Sequence, residues 1–568
     1  MKLHSNMLNS MKWWVAIALF AIQSSLFVCP TWAQPAWAKK ATKSVFTLKT
    51  FTADGTLVGS ANGFFVGSNG EAVSSFTPFK GAHRAVVIDA AGKEWPVACV
   101  LGANDTYDVA KFRVAMPKTQ PLTIATSQQT AGAVVWLLPY REVKNVPQGK
   151  INKVETFNGH YAYYTVDIQM AENAVSTPLM NADGEVIGLM QQSMAAAEQC
   201  YAVSALFADS LSLSGLSIND PVLRSTHVKK ALPADMNQAL LTLYVAASTL
   251  DSLAYAEMVD DFIAQFPDQP DGYVNRAQLM ASQNRFADAD RDMEKALKVS
   301  TKADETHYTY SRIILQKEVY KADVPYEPWS LDRAFEEAAK ANELNAQPIY
   351  RQQQAVVRYA QRRYDEAYQI YEGLFSSALR SADLFYSAAV CKQQLNDTTS
   401  QLALLDSCVA MYTRPYLKEV APYLLNRAQL RMDMGKFRDA VTDLNDYEQL
   451  MATQVNDRFY YMRFQAEVGG RLYQQALNDI QKSIEMVPTS DLYYAEKASL
   501  QVRVGLHDDA IASAKECIRL APEHSDGYLF LGLAQCLKGQ KAEGVKNLQK
   551  AKELGDEQAD ALIEKYAK

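Results

Sequence analysis

Covalent or acid–base chemistry in this chain would have to come from hydroxyls, carboxylates and seven histidines, because the seven cysteines are scattered. No Cys-x-x-Cys pair occurs and no His/Cys cluster has the spacing of a zinc site, so neither a metal nor a cofactor is expected. Acyl transfer needs a hydroxyl nucleophile, a base within hydrogen-bond reach and a carboxylate that orients the base. The residues that bear on that chemistry fall in three short stretches: GSANGFFVGSNGEAVSSFTPF (Gly59 to Phe79) with His83 just beyond it, YDVAKFRV with Asp108, and NAVSTPLMNADGEVIGL (Asn173 to Leu189) with Ser176.

These stretches lie in a region of β pattern running from Lys43 to about Leu211. Runs such as SVFTLKTF, RAVVIDA, VACVLG, AVVWLLPY and EVIGLMQ are separated by Asp-Gly, Asn-Gly and Ala-Gly turns at regular spacing. That pattern predicts a closed or sandwiched antiparallel fold. Asn69-Gly70 and Asp183-Gly184 are expected to form tight hairpins with positive φ at both central residues. His160, in FNGHYAYY, reads as a strand or loop histidine.

The three stretches together resemble the catalytic segments of trypsin-like serine proteases of the HtrA type. The resemblance implies a double β-barrel over residues 43–211, with CYAVSALFADSL as its closing strand and following helix. It puts Thr77 where the family has its histidine, Val175 where it has its serine, and Asp108 at the aspartate position. Valine cannot attack a carbonyl and threonine is no base near neutral pH, so no intact catalytic set is expected. The turn Asn173-Ala174-Val175-Ser176-Thr177 replaces a Gly-rich oxyanion loop, and its Cβ atoms are expected to resist that tight backbone. The alternative is a shifted set of Ser176, His83 and Asp108; otherwise His83 is a loop residue and Ser176 caps or packs a turn.

A polar stretch over residues 212–235, with Gly215, Asn219, Asp220, Pro221 and Pro233, breaks the β pattern and reads as a linker. From residue 236 to 568 the period becomes helical and repeats at roughly 34 residues. Small residues recur at the helix contacts, as in Ala277 and Ala289, Ala355 and Ala367, Ala428 and Ala440, Ala498 and Ala510, and Gly532. These units resemble tetratricopeptide repeats (TPR), about nine of them, closed by a capping helix in ADALIEKYAK. The insertion KADVPYEPW is expected to protrude as a loop between the helices of one unit. Shorter additions at 412–420 and 452–456 lengthen turns.

The resemblance implies a concave groove lined by the first helices of the repeats. The Lys and Asn positions at which some TPR domains clamp a C-terminal carboxylate hold residues such as Val274 and Gln278 or Leu425 and Gln429, so that clamp is absent. Tyr359, Leu425 and Tyr461 are the expected anchors for a polypeptide partner, on a surface where several apolar residues have no packing duty inside their own unit. The fold expectation is therefore multidomain, an all-β double barrel followed by an all-α repeat array.

Residues 1–38 read as a secretory signal. Lys2 and Lys12 precede an apolar run from Trp13 to Val28, and small-x-small sites end at Ala33 and Ala38. Removing the segment takes two lysines, so the net charge of −7 becomes −7 − 2 = −9. That balance argues against nucleic acid or anionic membrane as a partner. The expectation is a periplasmic or secreted, non-catalytic interaction protein, with a peptidase of unusual residue set or a peptide-holding regulatory subunit as alternatives. The six cysteines beyond the signal, Cys99, Cys200, Cys391, Cys408, Cys517 and Cys536, read as buried thiols.

Overall fold

A computed structural model describes residues 35–141, 146–168, 174–191 and 199–567. Most of the signal segment, with both its lysines, lies outside them. The chain divides into two compact units at residues 279 and 280.

The first unit opens with two closed six-stranded antiparallel barrels, in the order β1-β2-β3-β6-β5-β4 and β10-β11-β12-β9-β8-β7. The strands of the first are β1 (Val45–Phe51), β2 (Leu57–Phe65), β3 (Glu71–Ser74), β4 (Arg84–Ile88), β5 (Glu94–Asn104) and β6 (Val109–Val114). Those of the second are β7 (Val134–Leu137), β8 (Gln148–Phe157), β9 (Tyr161–Val166), β10 (Pro178–Met180), β11 (Val186–Met190) and β12 (Cys200–Ser204). Alternating inward residues fill each interior: Phe46, Leu48, Phe79, Val100 and Phe112 in one, Val135, Ile151, Tyr164, Leu179 and Ala202 in the other. A third cluster joins the barrels through Val45, Phe64, Val109, Met180 and Leu189.

The two hairpin turns differ from expectation. Only Gly70 (φ +90°) and Gly184 (φ +79°) enter the left-handed region, while Asn69 and Asp183 do not. The loops are longer than two residues: Val66 N–H donates to the Glu71 carbonyl and Asn181 N–H to the Glu185 carbonyl. A right-handed turn then precedes the single left-handed glycine. At Gly70 a Cβ would lie 2.2 Å from the Val114 carbonyl oxygen, so glycine is required twice over.

The segment read as a linker is ordered against the first barrel. Leu223 and Val228 join that barrel's core, and Lys230 forms a parallel bridge with Val100. Val100 N–H donates to the Lys229 carbonyl at 2.8 Å and Ala231 N–H to the Val100 carbonyl at 2.9 Å. Polar composition concealed this, because the pairing uses backbone groups and a few scattered apolar side chains, Leu213 and Val222 beside Leu223 and Val228.

Helices occupy the rest. Among the described residues nine helix pairs run from Met236–Thr249 with Ser252–Gln265 to Ser525–Leu537 with Lys541–Glu553. The small residues at their expected contacts are buried, Ala355, Ala367, Ala428, Ala440, Ala498 and Ala510 among them. At Gly532 a Cβ would come within 2.7 Å of the Gly544 carbonyl oxygen, which fixes how closely that pair approaches. The last helix, Ala559–Tyr566, lays Leu562, Ile563 and Tyr566 on the core of the preceding pair. This is the expected cap.

The insertion between the helices Ala303–Tyr320 and Leu331–Leu344 does not simply protrude. Trp329 is 3% exposed, 5.6 Å from the Phe286 ring. Asp290 accepts hydrogen bonds from Trp329 Nε1 (2.9 Å), Tyr326 Oη (2.9 Å) and Tyr310 Oη. The prolines stop the helix, and the aromatic residues turn the loop back onto it. The six described cysteines are buried.

Candidate functional site

Three loop positions at the facing ends of the barrels hold the residues singled out in the sequence. Thr77 opens a short 3-10 turn after β3, Asp108 immediately precedes β6, and Val175 lies in the turn before β10. Asp108 has φ +46°, a left-handed conformation that aspartate tolerates better than most residues. Its Oδ1 accepts the Thr77 backbone N–H at 2.6 Å. Thr77 and Asp108 are thus brought together, and the carboxylate is spent on a main-chain donor.

The turn at Val175 is pinned from the first barrel. Asn62 N–H donates to the Val175 carbonyl at 3.0 Å, and Asn62 Nδ2 donates to Thr177 Oγ1 at 3.2 Å. Thr177 N–H closes the turn on the Ala174 carbonyl at 3.2 Å. Ser176 adopts φ +62°, a left-handed conformation within this turn. The compensation is local: Ser176 N–H donates to the Met190 carbonyl at 2.8 Å, and its Oγ lies 2.5 Å from Ser75 Oγ. The Val175 N–H makes no hydrogen bond among the described residues, and Asn173, the other expected oxyanion-loop position, lies outside them.

The shifted set is not assembled. Ser176 is 1% exposed with its hydroxyl on Ser75, while His83 is exposed and stacks on His227 at 4.1 Å. No hydrogen bond joins His83 to Ser176 or Asp108. His160 is an exposed turn residue against the Tyr161 ring. Beside Asp108, a pocket of about 280 Å³ is lined by Tyr107, Glu155, Phe157, Tyr163 and Gln191. Sequence reasoning did not find it, since Phe157 and Tyr163 come from strands β8 and β9, which their mixed polar pattern left unassigned.

In the helical region Leu425 and Gln429 line a groove of about 430 Å³ with Tyr447, Val455, Phe459 and Met462. Tyr359 and Tyr461 are not among its walls. The Tyr359 ring packs 5.3 Å from Tyr364, and Tyr461 packs on Phe464 and Tyr493 while its hydroxyl donates to Glu496 at 3.0 Å. Burial and the Glu496 carboxylate push the Tyr461 phenol up to about 12. All three residues pack against the cores beneath them, so none of them belongs among the apolar residues without a packing duty. Helical spacing told which face they share, not how far their neighbours reach.

The family description "trypsin-like peptidase domain" matches residues 61–189. Residues 61–189 are a trypsin-like peptidase domain. The chain is also similar to solved structures of the Rv3671c protease of M. tuberculosis, in its active form (18% identity, 32% of this chain, 85% of that one, TM-score 0.28) and in an inactive form (19%, 32%, 91%, 0.27). Among curated proteins it is similar to small glutamine-rich tetratricopeptide repeat-containing protein 2 of Saccharomyces cerevisiae, 26% identical over 145 residues, 25% of this chain and 42% of that protein. The protein of the same name from Mycosarcoma maydis is 33% identical over 82 residues, 14% of this chain and 23% of that one. The match spans less than half the length of either relative. A trypsin-like domain is therefore followed by a helical region with tetratricopeptide-containing relatives.

Proposed function

We propose that this protein is an exported, non-catalytic protein–protein interaction scaffold, built from an inactive trypsin-like domain and a TPR array whose concave face takes a polypeptide partner. The observation that carries the reading is Val175 and Thr77 at the nucleophile and base positions, with Asp108 bonded to the Thr77 backbone N–H at 2.6 Å. Loss of either catalytic group alone removes several powers of ten in rate. Relatives named for their tetratricopeptide repeats support protein binding by the helical region. Leu425, with Gln429 beside it, is the anchor best placed in a groove; Tyr461 lies on the next helix pair and Tyr359 two pairs before it. The test is a fluorophosphonate probe together with casein digestion by the purified chain. No labelling and no cleavage are expected. Cleavage that Ser176→Ala abolishes would overturn the reading.

A second reading rests on the aromatic pocket beside Asp108: the barrel domain holds a peptide without cutting it, as a regulatory subunit. Hydrogen exchange on the full chain with candidate peptides separates the two. Protection at Tyr107, Phe157 and Tyr163 favours peptide holding, and unchanged exchange there removes it.

A further inference from the structure

A cavity of about 710 Å³ lies away from the peptidase loops, lined by the segment Leu213–Pro233 and the helices Met236–Thr249 and Ser252–Gln265. We propose that it binds a small amphipathic anion, a carboxylate on an apolar body, with the Lys230 ammonium as counter-charge. The volume is that of a small-molecule site. Its apolar wall comes from Leu213, Ile218, Leu223, Leu232, Leu250 and Met258.

Charge selects the sign of the ligand. Arg224, His227, Lys229 and Lys230 line the cavity together with Glu257 and Asp261. Lys229 is already paired with Asp261 at 2.6 Å. Lys230 has no carboxylate in ion-pair range among the described residues, and its ammonium donates only to the Thr226 carbonyl. An ammonium has three donors, so two remain for the two oxygens of a carboxylate. Burial alone pushes this ammonium's pKa down, as expected of a cation removed from water without a counter-ion. A bound carboxylate relieves that cost, whereas a cationic ligand adds to it. The position of Lys230 is fixed by backbone, since it forms a parallel bridge with Val100.

The carboxylate could belong to a lipid or to a chain terminus, and calorimetric titration of the full chain distinguishes them with two probes. Dodecanoate stands for the lipid, and acetyl-trileucine with a free carboxylate, against its amide, for the terminus. Saturable binding of either acid is expected, weakened at least tenfold in Lys230→Met. A second variant, Ala254→Trp, fills the cavity from the helix side and is expected to abolish binding while leaving Lys230 in place. Unfolding of Lys230→Met, seen by circular dichroism, leaves Ala254→Trp to decide. The proposal is overturned if neither acid binds, if dodecyltrimethylammonium binds as well as dodecanoate, or if a folded variant binds like wild type.

Discussion

Glu467 lies in the helix Asp457–Gly469 with 3% of its surface exposed, and its Oε2 has no hydrogen-bond partner among the described residues. Arg463 is 3.9 Å away but gives its stronger bonds to Asp479 and Glu448, both at 2.6 Å. Burial, helped by the Asp479 carboxylate, pushes the Glu467 carboxyl up from 4.5 to about 8. The folded chain therefore holds a proton there that the unfolded chain has released. Between pH 4.5 and 8 the native state binds more protons, so this group makes stability fall as pH rises, with the full contribution present below 4.5. Urea denaturation should show Glu467→Gln more stable than wild type by on the order of 2 kcal/mol at pH 8, with the difference vanishing near pH 4. An equal difference at both ends would mean that ionisation of Glu467 is not the cause. At this same scale Thr77, Asp108 and Val175 were legible because flanking motifs fix their register. The Glu467 environment was not, since its partners come from a neighbouring helix.

Two short elements tie side chains to places their sequence pattern did not reveal. The first is the helix Ala38–Ala41, where Ala38 is fully buried and Trp37 stacks edge-on against Trp136 at 6.3 Å. Trp37 Nε1 donates to the Ala182 carbonyl at 3.2 Å, and any Cβ at Gly184 would strike its ring. Cleavage at Ala38 would remove both anchors from the second barrel. If the leader is removed, N-terminal sequencing should begin at Gln34, and a chain starting at Lys39 should melt several degrees below one starting at Gln34. A native protein that begins at Lys39 and melts no lower would contradict this. The second element is the insertion loop. Trp329→Ala should cost about 3–5 kcal/mol in the helical region, because it empties a buried site and strips one donor from Asp290. A loss below about 1 kcal/mol in thermal unfolding would mean that the loop is only draped on the surface.

For the molecule as a whole, the division into β and α halves was plain from period, since turns at regular spacing and 34-residue repeats of small residues are local signals. Less was legible where function depends on distant neighbours. The three-residue β10 is too short to carry a pattern, and the segment after residue 211 bridges Val100 through backbone alone. The same limit governs the helical face. Tyr359, Leu425 and Tyr461 were expected to anchor a partner at little cost to stability when changed, yet Tyr461 is held by Glu496, Phe464 and Tyr493. Changing all three to Ala should now lower the melting temperature, so lost binding by that variant would not identify the groove. Leu425→Glu is the sharper change, because it puts an unpaired carboxylate among Tyr447, Val455, Phe459 and Met462. Against a partner first identified by cross-linking in the native cell, this variant should bind more weakly by about 2 kcal/mol, roughly thirtyfold, with Tyr461→Phe near wild type. A dissociation constant unchanged by Leu425→Glu, in a variant whose circular dichroism is intact, would move the partner off this groove and onto another face of the chain.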